Sequence, residues 1–130
     1  MKNYKELGVW QMSIALAVQV CKMTGRFPDV EKFGLSSQMR RAATSVPANI
    51  GEGWGRGTTR EYIQFLLIAR GSLMELETHS IIAHQLEYLN EDHLNQFQRQ
   101  IEEIGRMLNG LIRSLKAQTP RPSGPLASNP

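Results

Sequence analysis

Apolar residues recur at helical spacing along almost the whole chain. Over residues 7–24, at about 100° per residue, they fall into two groups. One holds Leu7, Trp10, Ile14, Val18 and Cys21; the other holds Val9, Met12, Leu16, Val20 and Met23. Only a narrow sector with Gln11, Gln19 and Lys22 is polar. The surface helix of a monomer needs one apolar stripe, so this helix has two sides to bury. Gly25 and Pro28 mark its end. A second helix is predicted over 36–55, with the seam Leu35, Met39, Ala42, Val46, Ile50 and Gly53. Ala43, Ser45, Ala48 and Gly51 beside it let a neighbouring backbone come close. Pro47 removes one backbone donor in mid-helix. The apolar phase continues across it, which predicts a kinked helix and not two helices.

Thr58 and Glu61 form a capping-box pattern that starts the third helix. Its seam reads Tyr62, Leu66, Ala69, Leu73, Leu76, Ser80 and Ala83, and it should end near Leu89. Asn90 is placed as the N-cap of the fourth helix, with Glu91 and Asp92 at the positive end of its dipole. That helix repeats every 3.5 residues through Leu94, Phe97, Ile101, Ile104, Leu108, Leu111 and Leu115. Four helices joined by short turns predict an all-α fold, an antiparallel up-down four-helix bundle over residues 1–118. Residues 119–130, with Pro120, Pro122, Pro125 and Pro130, read as a disordered tail.

Composition narrows the class. The chain has 130 residues, enough for one domain. An apolar content of 41% excludes disorder of the whole chain. No apolar run approaches the roughly 18–20 residues of a membrane span. The first seven residues carry no apolar signal core, so a cytoplasmic protein is expected. Cys21 is the single cysteine, which excludes a disulfide framework and a multi-cysteine zinc site.

Catalytic and metal chemistry find little support. Glu75, Glu77, His79, His84 and Glu87 cluster on the third helix. Yet no Glu stands three residues before a His, the spacing that carboxylate-bridged di-metal bundles use. A solvated helix face accounts for the cluster. Cys21 has the spacing of a small core residue and no activating neighbour. The run Gly51-Glu52-Gly53-Trp54-Gly55-Arg56-Gly57 lacks the Gly-Lys-Ser/Thr ending of a phosphate loop and follows no strand. It reads as a tight reversal between helices, with Trp54 packed there. No catalytic residue, cofactor or metal is expected.

Charge location is more informative. The formal total is +3. From 32 to 70, Lys32, Arg40, Arg41, Arg56, Arg60 and Arg70 face only Glu52 and Glu61, a segment charge of +4. From 71 to 103, seven acids face Arg99 alone, giving −6. Either the basic segment forms a surface for phosphate backbone, or the two segments pair, within the fold or between subunits. Arg41, beside Ala42 and Ala43, is the arginine placed for a structural role. Arg56 and Arg60 flank a turn from which long side chains reach outward.

Several long stretches also match a family. They are Leu7-Gly8-Val9-Trp10-Gln11, Phe33-Gly34-Leu35-Ser36-Ser37-Gln38-Met39-Arg40-Arg41-Ala42-Ala43-Thr44-Ser45-Val46-Pro47-Ala48-Asn49-Ile50, Gly51-Glu52-Gly53-Trp54-Gly55-Arg56 and Ala69-Arg70-Gly71-Ser72-Leu73-Met74-Glu75-Leu76-Glu77-Thr78. Over residues 4–116 the chain resembles the bacterial four-helix-bundle proteins encoded in intervening sequences of 23S ribosomal RNA genes, also called the S23 ribosomal protein family. Gly51 and Arg70 are small departures from the pattern. The resemblance implies a ring-like homopentamer, and a relative, the accessory variability determinant of diversity-generating retroelements, that binds nucleic acid and a reverse transcriptase. It also accounts for the two-sided first helix, with one side for the core and one for a neighbouring subunit.

The leading expectation is thus a non-enzymatic homo-oligomer that binds RNA or DNA through phosphate. Arg40, Arg56 and Arg60 would contact phosphate, and Arg41 would be shared between structure and binding. The alternative is a protein–protein adaptor or scaffold, with a reverse transcriptase or a ribosome-associated factor as partner.

Overall fold

The computed structural model describes residues 3–118. Four α-helices carry the fold: α1 (Gly8–Thr24), α2 (Leu35–Gly55), α3 (Thr59–Gln85) and α4 (Glu91–Gln118). Among the described residues there is no strand. Each helix packs on the next, and α4 closes back on α1, whereas the diagonal pairs α1–α3 and α2–α4 do not approach. The result is a four-helix bundle with one central core. The seams expected for α2 and α3 are buried at every position. Pro47 is buried inside α2, which runs without interruption from Leu35 to Gly55.

Helix ends follow local chemistry. The Thr58 hydroxyl accepts the Glu61 amide at 3.2 Å and donates to the Glu61 carboxylate at 3.0 Å, which starts α3. Asn90 Oδ1 accepts the His93 amide at 2.8 Å and starts α4. α3 ends at Gln85, short of the expected Leu89. Glu87 takes a left-handed φ of 66°. The Tyr88 amide then reaches back to the Ala83 carbonyl at 2.9 Å, a helix-ending hydrogen bond that helical periodicity does not reveal. Leu89 still reaches the core, but from the turn.

Two short 3-10 turns, Tyr4–Glu6 and Asp29–Glu31, were not visible in the apolar spacing. The second turn docks on the α3–α4 connection. Glu31 accepts the Leu35 amide at 3.2 Å through Oε1 and the Tyr88 hydroxyl at 3.0 Å through Oε2. That hydrogen bond, foremost, holds the Tyr88 phenol above its usual pKa.

α2 and α3 share the most extensive contact. Ser45 Oγ and Ser72 Oγ lie 2.8 Å apart. Further along α2, Gly53 lies against the earlier Phe65 of α3. Advancing on one helix retreats on the other, so this pair is antiparallel. A Cβ on Gly53 would sit 2.7 Å from the Phe65 Cβ, so the close approach requires glycine. Gly57 supplies the positive φ of 90° that the α2–α3 turn needs. Trp54 packs edge-on to Tyr62, with ring centroids 6.1 Å apart, and serves packing as expected.

Candidate nucleic-acid interface

The structure divides the four candidate arginines into two pairs. Arg40 and Arg41 stand early on α2; Arg56 and Arg60 flank the α2–α3 turn. Sixteen residues of helix separate Arg40 from Arg56, about 24 Å at 1.5 Å per residue. They do not form one patch on a single chain.

Their environments differ. Arg40 Nε donates to Thr24 Oγ1 at 2.8 Å. Buried Thr24 in turn donates to the Val20 carbonyl at 2.8 Å. Arg40 therefore ties α2 to the end of α1, the structural role that the sequence pattern assigned to Arg41. Arg41 is exposed and has no hydrogen-bonding or ionic partner among the described residues. It stands at the rim of a notch between α2 and α3. Arg56 lies 3.4 Å from Glu52 and has its guanidinium 4.8 Å from the Phe65 ring centroid. An exposed pair of that kind is worth about 0–1 kcal/mol, so Arg56 is readily recruited by a stronger anion. Arg60 is exposed and unpaired on the first turn of α3, where the helix dipole adds to its positive charge.

Among the described residues, no ion pair joins the basic segment to the acidic one. The ion pairs there, Arg56–Glu52 and Arg106–Glu103, each lie within one helix. Arg70 binds Asn109 of α4 at 2.8 Å instead of an acid. The charge asymmetry of the sequence is thus carried to the surface and is not neutralised across helices. The histidines and acids of α3 do not converge: no group of three or more His, Cys, Asp or Glu side chains among the described residues could hold a metal ion. His79 faces α2, and His84 Nδ1 lies 2.9 Å from the Leu89 carbonyl.

A second feature is apolar. The two groups on α1 separate in part, since Leu7 and Trp10 of the first group also pack against the core. Val9, Leu16 and Val20 enter the core, with Met12 and Met23 packed against it. Ile14 and Val18 face outward, 36% and 48% exposed. With Trp10 and Cys21 they line a groove of about 720 Å³, whose other wall is Pro47 and Ala48 of α2. Cys21, expected in the core, is only partly buried in this wall, because it shares the helical phase of Ile14 and Val18. Tyr4 closes one end of the groove. A Cβ on Gly51 would come within 3.1 Å of the Tyr4 ring, so this glycine makes room for it. The contribution of Tyr4 left no periodic signal, since it stands ahead of the first helix.

α3 carries further exposed apolar residues, Ile68, Met74, Ile81 and Ile82, and Leu86 follows at its C-cap. Ile68 and Ile82 share the helical phase of Ser72, Glu75 and His79, which face α2. No helix among the described residues is long and apolar enough to cross a membrane.

No match to a curated protein was found. The fold is similar to a crystal structure of a protein of unknown function from the S23 ribosomal protein family of Bacteroides thetaiotaomicron. That likeness has a TM-score of 0.75 and 25% sequence identity, and it covers 81% of this chain and 95% of that one. The sequence matches a family model over residues 5–110. With that match spanning most of the chain and the bundle confirmed, this protein belongs to the 23S rRNA-intervening sequence protein family.

Proposed function

We propose that this chain is the subunit of a closed homo-oligomer that binds nucleic-acid backbone and performs no catalysis. The observation that carries the assembly is the outward apolar side of α1. Ile14 and Val18 are exposed beside an apolar groove, apolar surface of the kind that marks an association site, and Ile68 and Ile82 of α3 are exposed on a second face. Two different faces that meet head to tail close into a ring when the rotation allows it, and the family resemblance suggests five copies.

The assembly completes the binding surface. One chain presents Arg41 and Arg60 free and Arg56 weakly held, too few and too far apart for firm phosphate binding. A ring repeats them, and the repeated contacts act through avidity. Light scattering on the purified protein should give about five times the 14.7 kDa of one chain. A salt titration with RNA and duplex DNA should show affinity falling steeply as salt rises. A mass of one chain at micromolar concentration would end the ring reading. A ring whose affinity is unchanged by R56E together with R60E would remove those arginines from the interface.

A further inference from the structure

A notch of about 450 Å³ lies between α2 and α3, away from the α1 groove. Its walls are Gln38, Arg41 and Ser45 from α2, and Ser72, Glu75 and His79 from α3. The steps along each helix are three and four, so each set forms one stripe. Elsewhere these helices meet through apolar and small residues; here two polar stripes face each other. Ser45 lies opposite Ser72. In this antiparallel pair, Arg41 then stands near the level of Glu75, and Gln38 near that of His79.

The hydrogen-bonding inventory of the notch is incomplete in one direction. Asn49 Nδ2 donates to the Ser45 carbonyl and to Ser45 Oγ, each at 2.8 Å. Either hydroxyl can donate in the 2.8 Å contact between Ser45 Oγ and Ser72 Oγ, and the proton of the other is then left without a protein acceptor among the described residues. His79 Nδ1 is buried and has no partner. Arg41 and Glu75 line the same space and do not pair with each other. A cation, a carboxylate and a hydroxyl proton therefore line one space with no protein partner for any of them.

Donors and acceptors are sorted within the notch. Arg41, the Gln38 amide and the remaining serine proton can all donate to one anion. Glu75 can accept from a cation. Apart from the imidazole, no ring lines the walls, so the notch offers no stacking platform for a nucleobase. We propose that it binds a small zwitterion bearing a carboxylate and an ammonium group, an α-amino acid. The carboxylate lies on Arg41, Gln38 and the remaining serine proton, and the ammonium on Glu75. This site shares Arg41 with the proposed phosphate surface but neither Arg56 nor Arg60, and its test uses no nucleic acid.

The test is an amide NMR titration of the full-length protein with glycine, L-serine and L-glutamine at up to about 10 mM, which detects a Kd on the order of 1 mM. N-acetyl-L-glutamine and L-glutaminamide serve as probes that lack one charge each. At least one free amino acid should shift the amides of Ser45, Ser72, Glu75 and His79. Each blocked analogue should bind about tenfold more weakly or worse, having lost one charge-assisted contact. The exposed substitution E75Q should weaken the amino acid to the same degree, with the remainder of the spectrum unchanged. The proposal fails if no probe shifts these amides, if the blocked analogues match the free amino acids, or if E75Q binds like the parent. The blocked analogues test it on the unmodified protein even if E75Q does not fold.

Discussion

α1 and α4 are neighbours in the bundle, and they use their apolar residues differently. α4 buries one stripe, Leu94, Phe97, Ile101, Ile104, Leu108 and Ile112, and none of its large apolar residues is exposed. α1 buries Val9, Leu16, Ala17 and Val20 and still presents Ile14 and Val18 to the outside. The core and its partly buried flank account for every large apolar residue of α4, whereas on α1 they leave out Ile14 and Val18. In the proposed assembly, this surplus is the surface that neighbouring copies share. The same contrast separates the two clefts along α2: the one shared with α1 is apolar, and the one shared with α3 is lined by paired polar stripes.

The largest expected effect tests the α4 side of the contrast. Leu108 is fully buried, and Leu108→Ala removes atoms that the packed bundle cannot replace. The cost should be about 2–5 kcal/mol, the range for large-to-small core changes. Urea unfolding would read it as a lowered midpoint with an unchanged slope. A loss below about 1 kcal/mol would mean that the α4 stripe is not the core it is described to be.

Much of this was legible in the sequence. The seams of α2 and α3 could be read residue by residue because buried positions on a straight helix repeat every three or four places. α4 shows where that reading drifts. A strict 3.5-residue repeat points to Leu111 and Leu115, but the core takes Ile112, and Leu111 and Leu115 are only partly buried. A helix of 3.6 residues per turn drifts about 20° per heptad from such a repeat, enough after two heptads to move the seam by one residue. The end of α3 was misplaced for a different reason, since the left-handed Glu87 carries no compositional mark. The arginines were found as a group from charge alone. Their individual roles depended on which one meets Thr24, a contact between residues sixteen apart that no local pattern encodes. The α2–α3 notch was hidden too, because each of its stripes looks like an ordinary polar face until the two are opposed.

A polar atom inside the core sharpens the comparison from the other direction. Tyr62 is buried, and its hydroxyl has no partner. Tyr62→Phe should stabilise the protein by about 1 kcal/mol, because the orphaned hydroxyl is removed while the ring stays. Burial also pushes the Tyr62 phenol above the ordinary 10.0. The unfolded chain therefore releases this proton first as pH rises, and the folded state loses stability above about pH 10 until its own phenol ionises. Below the unfolded value the contribution is constant. Urea midpoints between neutral pH and about pH 10.5 should fall less in the variant than in the parent. An identical fall in both would mean that the Tyr62 hydroxyl reaches solvent.

The smallest expected change in stability tests the surplus itself. Val18 is 48% exposed and Val20 is fully buried, two positions apart on the same helix. Val18→Lys puts a charge on the outer side of α1, where water can solvate it and where Lys is the better helix former. The unfolding free energy of the subunit should move by no more than about 0.5 kcal/mol. Assembly should respond out of proportion, since an ammonium group must then be desolvated at the centre of an apolar contact. Light scattering should report one chain of 14.7 kDa with the helical spectrum intact. Leu108→Ala would give the reverse, a weakened bundle whose outer faces are untouched. If Val18→Lys instead unfolds the chain, the outer side of α1 belongs to the core; if its mass equals that of the parent, the surplus on α1 serves something other than contact between copies.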